Sequence, residues 1–119
     1  MKIAITSKGR DINSDVDPRF GRAAYILVVD TGTLECEVID NAQNVNAFKG
    51  AGIQAAASVS EKKAEVLLTG FCGPNAFKTL NAAGIKVAND AYGSVKDTVQ
   101  AFKDGKFKYA DDANVDGHW

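Results

Sequence analysis

The sequence predicts an α/β protein, a mixed five-stranded sheet flanked by helices in the order β-β-β-α-β-α-β-α. Three observations predict it. The apolar, β-rich runs "KIAIT", "AYILVVD" and "LECEVID" come first, with no helical periodicity between them. Beyond them, short apolar runs alternate with segments of helical spacing, which is the pattern of parallel crossovers. A chain of 119 residues with 45% hydrophobic and 24% charged side chains is long enough for one core and too short for two.

Each element has its own justification. Lys2 to Thr6 alternates and forms strand 1; Ala24 to Asp30 is a more continuously apolar strand 2. The link "TGT" reads as a hairpin into strand 3, Leu34 to Asp40. Period two puts Leu34, Cys36, Val38 and Asp40 on one face of that strand and Glu35, Glu37 and Ile39 on the other, so Cys36 is expected on the packed side. The polar connection "NAQNVNAFKGAG" leads to an alanine-rich helix, Ile53 to Lys63, whose closing lysines suit the negative end of the helix dipole. Glu65 to Thr69 is strand 4. Pro74 to Ala83 carries Ala76, Phe77, Leu80 and Ala83 at helical spacing, with Gly84 as a left-handed stop. Ile85 to Asn89 is strand 5, and Ser94 to Lys106 is a third helix with Val95, Val99 and Phe102 inward. The first strands should pair antiparallel and the later ones join by right-handed parallel crossovers. Residues 1–108 form the domain, and the aperiodic "YADDANVDGHW", residues 109–119, is expected to be a mobile tail. Asp111, Asp112, Asp116 and His118 within it read as solvated background.

Composition excludes several functions. A formal net charge of -1 argues against a general nucleic-acid or membrane-surface binder, so any anion site must be local. The longest apolar run, "AAYILVV", falls far below the roughly 20 residues of a membrane span. The amino terminus lacks the apolar centre of a signal peptide, which leads us to expect a cytoplasmic protein. Cys36 and Cys72 then read as thiols, and with His118 the sole histidine, a closed structural zinc site would need carboxylates.

Three stretches can carry chemistry. In "TGFCGPNAF" a strand hands over to a helix whose first residue is Pro74, placing Cys72 just before a helix amino terminus. Unpaired N–H groups there favour negative charge, which can bind an anion or lower a thiol's pKa. Equally, Gly70 and Gly73 can simply make a tight turn while Cys72 fills an apolar gap. "KGAGIQAA" brings Gly50 and Gly52 to another helix start and formally matches GxGxxA, but no convincing strand precedes it and no acidic residue ends a strand about 20 residues later. Close helix packing explains it as well. "VDPRFGRAA" holds Arg19 and Arg22 around a Phe-Gly turn leading into strand 2. Two loop arginines are ordinarily solvated; beside two helix amino termini they suggest a pocket for an anion.

Taken together, "DPRFGRA", "GAGIQAA" and "TGFCGPNAF…LNAAGIKV" resemble the dinitrogenase iron–molybdenum cofactor biosynthesis family, over most of Met1 to about Phe102 and in the right order. The resemblance implies a ribonuclease-H-like motif and the binding or carrying of a metal–sulfur cluster, with molybdenum and copper or iron, or of its precursor. It implies partners among cofactor-assembly or ATPase proteins. Arg19, Arg22, Gly50, Gly52, Gly70, Gly73 and Asn75 occupy the family's motif positions, with Cys72 beside them in a position that varies. The shape does not bring nuclease activity, because "KIAIT" lacks the strand-1 carboxylate such enzymes use to hold metal.

Three functions follow as alternatives. The first is a non-enzymatic carrier that docks an anionic cluster against the arginine loop and the two glycine-rich helix starts. The second is a thiol enzyme using Cys72, which lacks an evident base or resolving cysteine. The third is an interaction module that holds no inorganic ligand.

Overall fold

The computed structural model describes residues 1–41 and 51–111. The expected elements are present in the expected order: β1 (Lys2–Ser7), β2 (Tyr25–Asp30), β3 (Cys36–Asp40), α1 (Ala51–Glu61), β4 (Val66–Leu68), α2 (Pro74–Ala82), β5 (Lys86–Ala88) and α3 (Val95–Lys103). The sheet runs β3-β2-β1-β4-β5. β2 is antiparallel to both β1 and β3, whereas β4 is parallel to β1 and β5. This mixed sheet has the strand order and directions of the ribonuclease-H-like motif.

Strand alternation divides the core into two layers. Ala4, Ile26, Val28, Leu67 and Val87 face Ala55 and Val59 of α1 and Ala76 and Leu80 of α2. Ile3, Ile5, Leu27, Val29, Val66 and Leu68 face Val95 and Val99 of α3. The central strand is covered on both sides, which is why Ile3, Ala4 and Ile5 are all fully buried. Each large aliphatic side chain buried this way contributes about 1.5–3 kcal/mol of transfer free energy.

The chain turns where the local chemistry requires it. Gly84, at φ +77°, follows α2, and Ile85 N–H returns to Leu80 O at 2.9 Å. Ser94 caps α3, its Oγ accepting the Asp97 N–H at 3.0 Å. After α3 the chain comes back along the sheet edge, where Ala110 N–H donates to Val87 O at 2.7 Å. The remainder of the expected tail, residues 112–119, lies outside the described residues, as does Gly50.

Two expectations need correction. Strand 3 begins at Cys36 rather than Leu34, because Leu34 sits at φ +63° and completes the turn, its N–H bonded to Asp30 O at 2.8 Å. Cys36 is exposed, not packed. It opens an edge strand on which only Val38 and Ile39 reach the two core layers, both half-buried.

Candidate functional site

β1 and β4 are parallel and end side by side, so the loops that follow them meet at one end of the sheet. Two buried threonines close that end. Thr6 Oγ1 donates to Asp17 O at 2.5 Å and lies 2.9 Å from Thr69 Oγ1. Since the single Thr6 hydroxyl proton is committed to Asp17, Thr69 must donate to Thr6. The loop carrying Arg19 is thereby pinned to both strand ends.

From there the three motif stretches stack on one another through close backbone approach. Phe71 N–H donates to Pro18 O at 2.6 Å and Phe20 N–H to Phe71 O at 3.1 Å, a short parallel bridge opposite Arg19. A Cβ on Gly70 would stand 2.8 Å from Pro18 Cα, and one on Gly21, at φ +91°, would stand 3.0 Å from Gly52 N. On Gly52 it would come within 2.9 Å of Ala76 Cβ. The arginine loop therefore lies between the Gly70–Phe71 turn and the Gly52 turn of α1, and α1 in turn touches the start of α2. Buried Asn41 fastens the far end of the loop, its Nδ2 donating to Ala23 O at 2.8 Å.

Arg19 is half exposed and leans on Asp17, with Nε 3.8 Å from Oδ1. The same carboxylate oxygen accepts the Arg19 N–H at 3.0 Å, which fixes the turn. Asp17 thus shapes the loop and offsets part of its positive charge. Arg22 follows on the same loop and is half-buried. All three arginines of the chain fall between Arg10 and Arg22, and the Arg10 guanidinium lies 5.2 Å from the Tyr25 ring centroid, a cation–π distance.

At α2 the cap is Gly73 in extended conformation, with no side chain closing the helix start and Pro74 as the first helical residue. The positive end of the helix dipole lies beside exposed Asn75. Cys72 is placed differently from an activated thiol. It is fully buried among Ala76, Leu80 and Phe20, and burial pushes the thiol up to about 12. Desolvation outweighs the helix terminus here.

The structure thus brings Arg19, Arg22, Gly52, Gly70, Cys72, Gly73 and Asn75 to the same end of the molecule, with Cys72 facing inward. Sequence reasoning missed Thr6, Asp17, Asn41 and Thr69, which position the loops rather than face outward. For Thr6 and Thr69 the one signal was a polar residue at the end of a buried strand; Asp17 and Asn41 carried none. Among the described residues no group of three His, Cys, Asp or Glu side chains could hold a metal ion. The donor set consists of guanidinium and N–H groups, which fits an anion and does not fit a bare cation.

A family model described as dinitrogenase iron-molybdenum cofactor matches residues 1–105. The chain is 46% identical to the orange protein of Desulfovibrio gigas, solved in its apo form, with 96% of each chain covered and a TM-score of 0.93. It is 34% identical to a Thermotoga protein described as NifB-like and of the DUF35 family, with 98% of each chain covered and a TM-score of 0.83. A dinitrogenase-type protein from Methanocaldococcus jannaschii, 16% identical over 94% of this chain and 96% of its own, shares the fold at a TM-score of 0.67. No curated protein matches the chain by sequence.

Proposed function

The chain belongs to the dinitrogenase iron-molybdenum cofactor family, and from that premise we propose that it binds and carries an anionic metal–sulfur cluster without catalysing a reaction. The cluster is its cargo, a sulfide of molybdenum with copper or iron, or a precursor of one. Arg19 and Arg22 supply positive charge, and the backbone at Gly52, Gly70, Gly73 and Asn75 supplies oriented N–H groups and room for close approach. Cys72 lies behind this surface, buried in the core as a neutral thiol.

The observation that carries this reading is the stacking of two separate glycine motifs on the arginine loop. Packing alone explains why each glycine is small. It does not explain why the junction they form carries Arg19 and Arg22 beside a helix whose N-cap residue is glycine. The family membership supplies the cargo class. The protein is expected to act in the cytoplasm and to exchange cluster with assembly or ATPase proteins. No helix among the described residues is long and apolar enough to cross a membrane.

Anaerobic incubation with tetrathiomolybdate plus copper or iron, followed by desalting, tests the proposal. Stoichiometric retention of metal, sulfide and charge-transfer absorption is expected, weakened in Arg19→Ala/Arg22→Ala while the circular dichroism stays unchanged. A colourless, metal-free product would sink the carrier reading in favour of an interaction module. Uptake indifferent to the double substitution would remove the arginines from the site.

The thiol-enzyme alternative is disfavoured by the buried, protonated state of Cys72, since the thiolate is the nucleophile.

A further inference from the structure

A recess lies beside the end of β5, its loop wall joined to the motif loops through Asp90 N–H to Gly70 O at 3.1 Å and Val16 N–H to Gly93 O at 2.8 Å. It is a cavity of about 630 Å³ between the loop after β5, the first turns of α3 and the returning chain at residues 106–110. That volume falls within the roughly 300–1,000 Å³ of small-molecule sites. We propose that it binds a bipolar aromatic anion with the chemistry of a purine mononucleotide. This inference does not rest on the cluster reading.

Charge in the cavity is divided by element. The loop and helix wall contributes Asn89, Asp90 and Asp97, which are acceptors; the returning chain contributes Lys106 and Lys108, which are cations. The ion pairs among the described residues involve none of these four charged side chains. A crevice whose opposed charges simply neutralised one another would bring them into contact, and this one keeps them apart. Asn89 adds a further requirement. Its Oδ1 is buried with no hydrogen-bond partner among the described residues, a state that a donor from outside would relieve.

Each wall also carries an aromatic ring. Tyr92 is 87% exposed and Tyr109 47% exposed, and both line the cavity. Exposed tyrosines on the rim of a mixed-charge cavity offer faces on which a planar base stacks. The acceptor wall is also held rigidly. Asp90 sits at φ +64°, its N–H bonded to Gly70 O at 3.1 Å, while Ala91 N–H bonds Thr69 O at 3.0 Å. A base carrying an exocyclic amine would donate to the Asn89 and aspartate side, stack on tyrosine, and leave its phosphate to the lysines.

The test is an ¹H–¹⁵N NMR titration of the full chain with AMP, with adenosine and inorganic phosphate as separate probes. Saturable shifts are expected at residues 89–93 and 106–110, with affinity reduced about tenfold in Lys106→Ala/Lys108→Ala and in Tyr92→Ala, and weaker binding of either half-ligand. The same spectra report whether each variant is folded. Absence of saturable shifts at about 5 mM AMP, shifts confined to residues 10–22 and 70–75, or an equal response to phosphate alone would each overturn the proposal.

Discussion

Gly70 and Cys72 sit two residues apart, and the chemistry of the loop after β4 is set by how differently they are constrained. A Cβ on Gly70 would meet Pro18 Cα, Cβ and O, all at 2.8 Å, and none of those atoms is the end of a flexible side chain. Gly70→Ala should therefore cost about 1–3 kcal/mol through overpacking and loosen the arginine loop, lowering both the urea midpoint and cluster uptake. Gly84→Ala makes the contrast: nothing lies within 4 Å, so its cost of about 1–2 kcal/mol comes from the left-handed backbone alone and should leave uptake intact. Loss of uptake in both variants would show that global stability, not the loop, controls binding. For Cys72 the expectation concerns alkaline pH. Its folded pKa of about 12 stands above the ordinary thiol value of 9.0, so the folded state keeps a proton that the unfolded chain gives up between those values. Stability is full below about 9 and falls as pH rises toward 12. The slope over that interval should be shallower in Cys72→Ala, measured by urea unfolding against the parent chain. A native thiol titration should likewise register exposed Cys36 at once and Cys72 only on unfolding.

The elements themselves were legible because each local preference agrees with the tertiary result. Ser94 predicts a helix start, and its Oγ accepts the Asp97 N–H as a capping residue does. Ser94→Ala should lower stability by about 1 kcal/mol, read as a shift in the thermal midpoint. It should leave cluster uptake unchanged, because α3 packs on the opposite face of the sheet from α1 and α2. What local pattern could not convey was cover. Period two correctly grouped Cys36 with Val38, yet β3 is the sheet edge, and Cys36 at its start is exposed. The candidate site divides in the same way. Glycines before helices and arginines in a loop are visible as residue types. That Gly70 abuts Pro18, that Gly21 abuts Gly52, and that Thr6 joins Thr69 across 63 positions of sequence are facts of chain folding with no local trace. Cys72 shows the limit most directly. Its place before α2 was readable, whereas the direction of its thiol decides between an activated nucleophile and an inert core residue.

At the scale of the molecule, a nearly neutral chain has to hold an anion with charge gathered in one place. Its formal net charge is -1, but its three arginines all lie between Arg10 and Arg22, at the end of the sheet where β1 and β4 finish. Long-range attraction by the protein as a whole is therefore negligible, and docking depends on the local field of the loop and of the helix start at Gly73. Such a field is exposed to solvent on the Arg19 side, and salt must screen it. Raising ionic strength from about 0.01 M to about 1 M shortens the screening length from about 30 Å to about 3 Å. Uptake of the thiomolybdate–copper species should fall across that range in the parent chain and should fall much less in Arg19→Ala/Arg22→Ala, whose binding would already lack the screened component. Equal salt dependence in both proteins would locate the electrostatic attraction outside the loop. Salt-independent uptake in the parent would mean that the cluster is held by coordination or packing rather than by charge, and would return Cys72 to consideration as a ligand despite its burial.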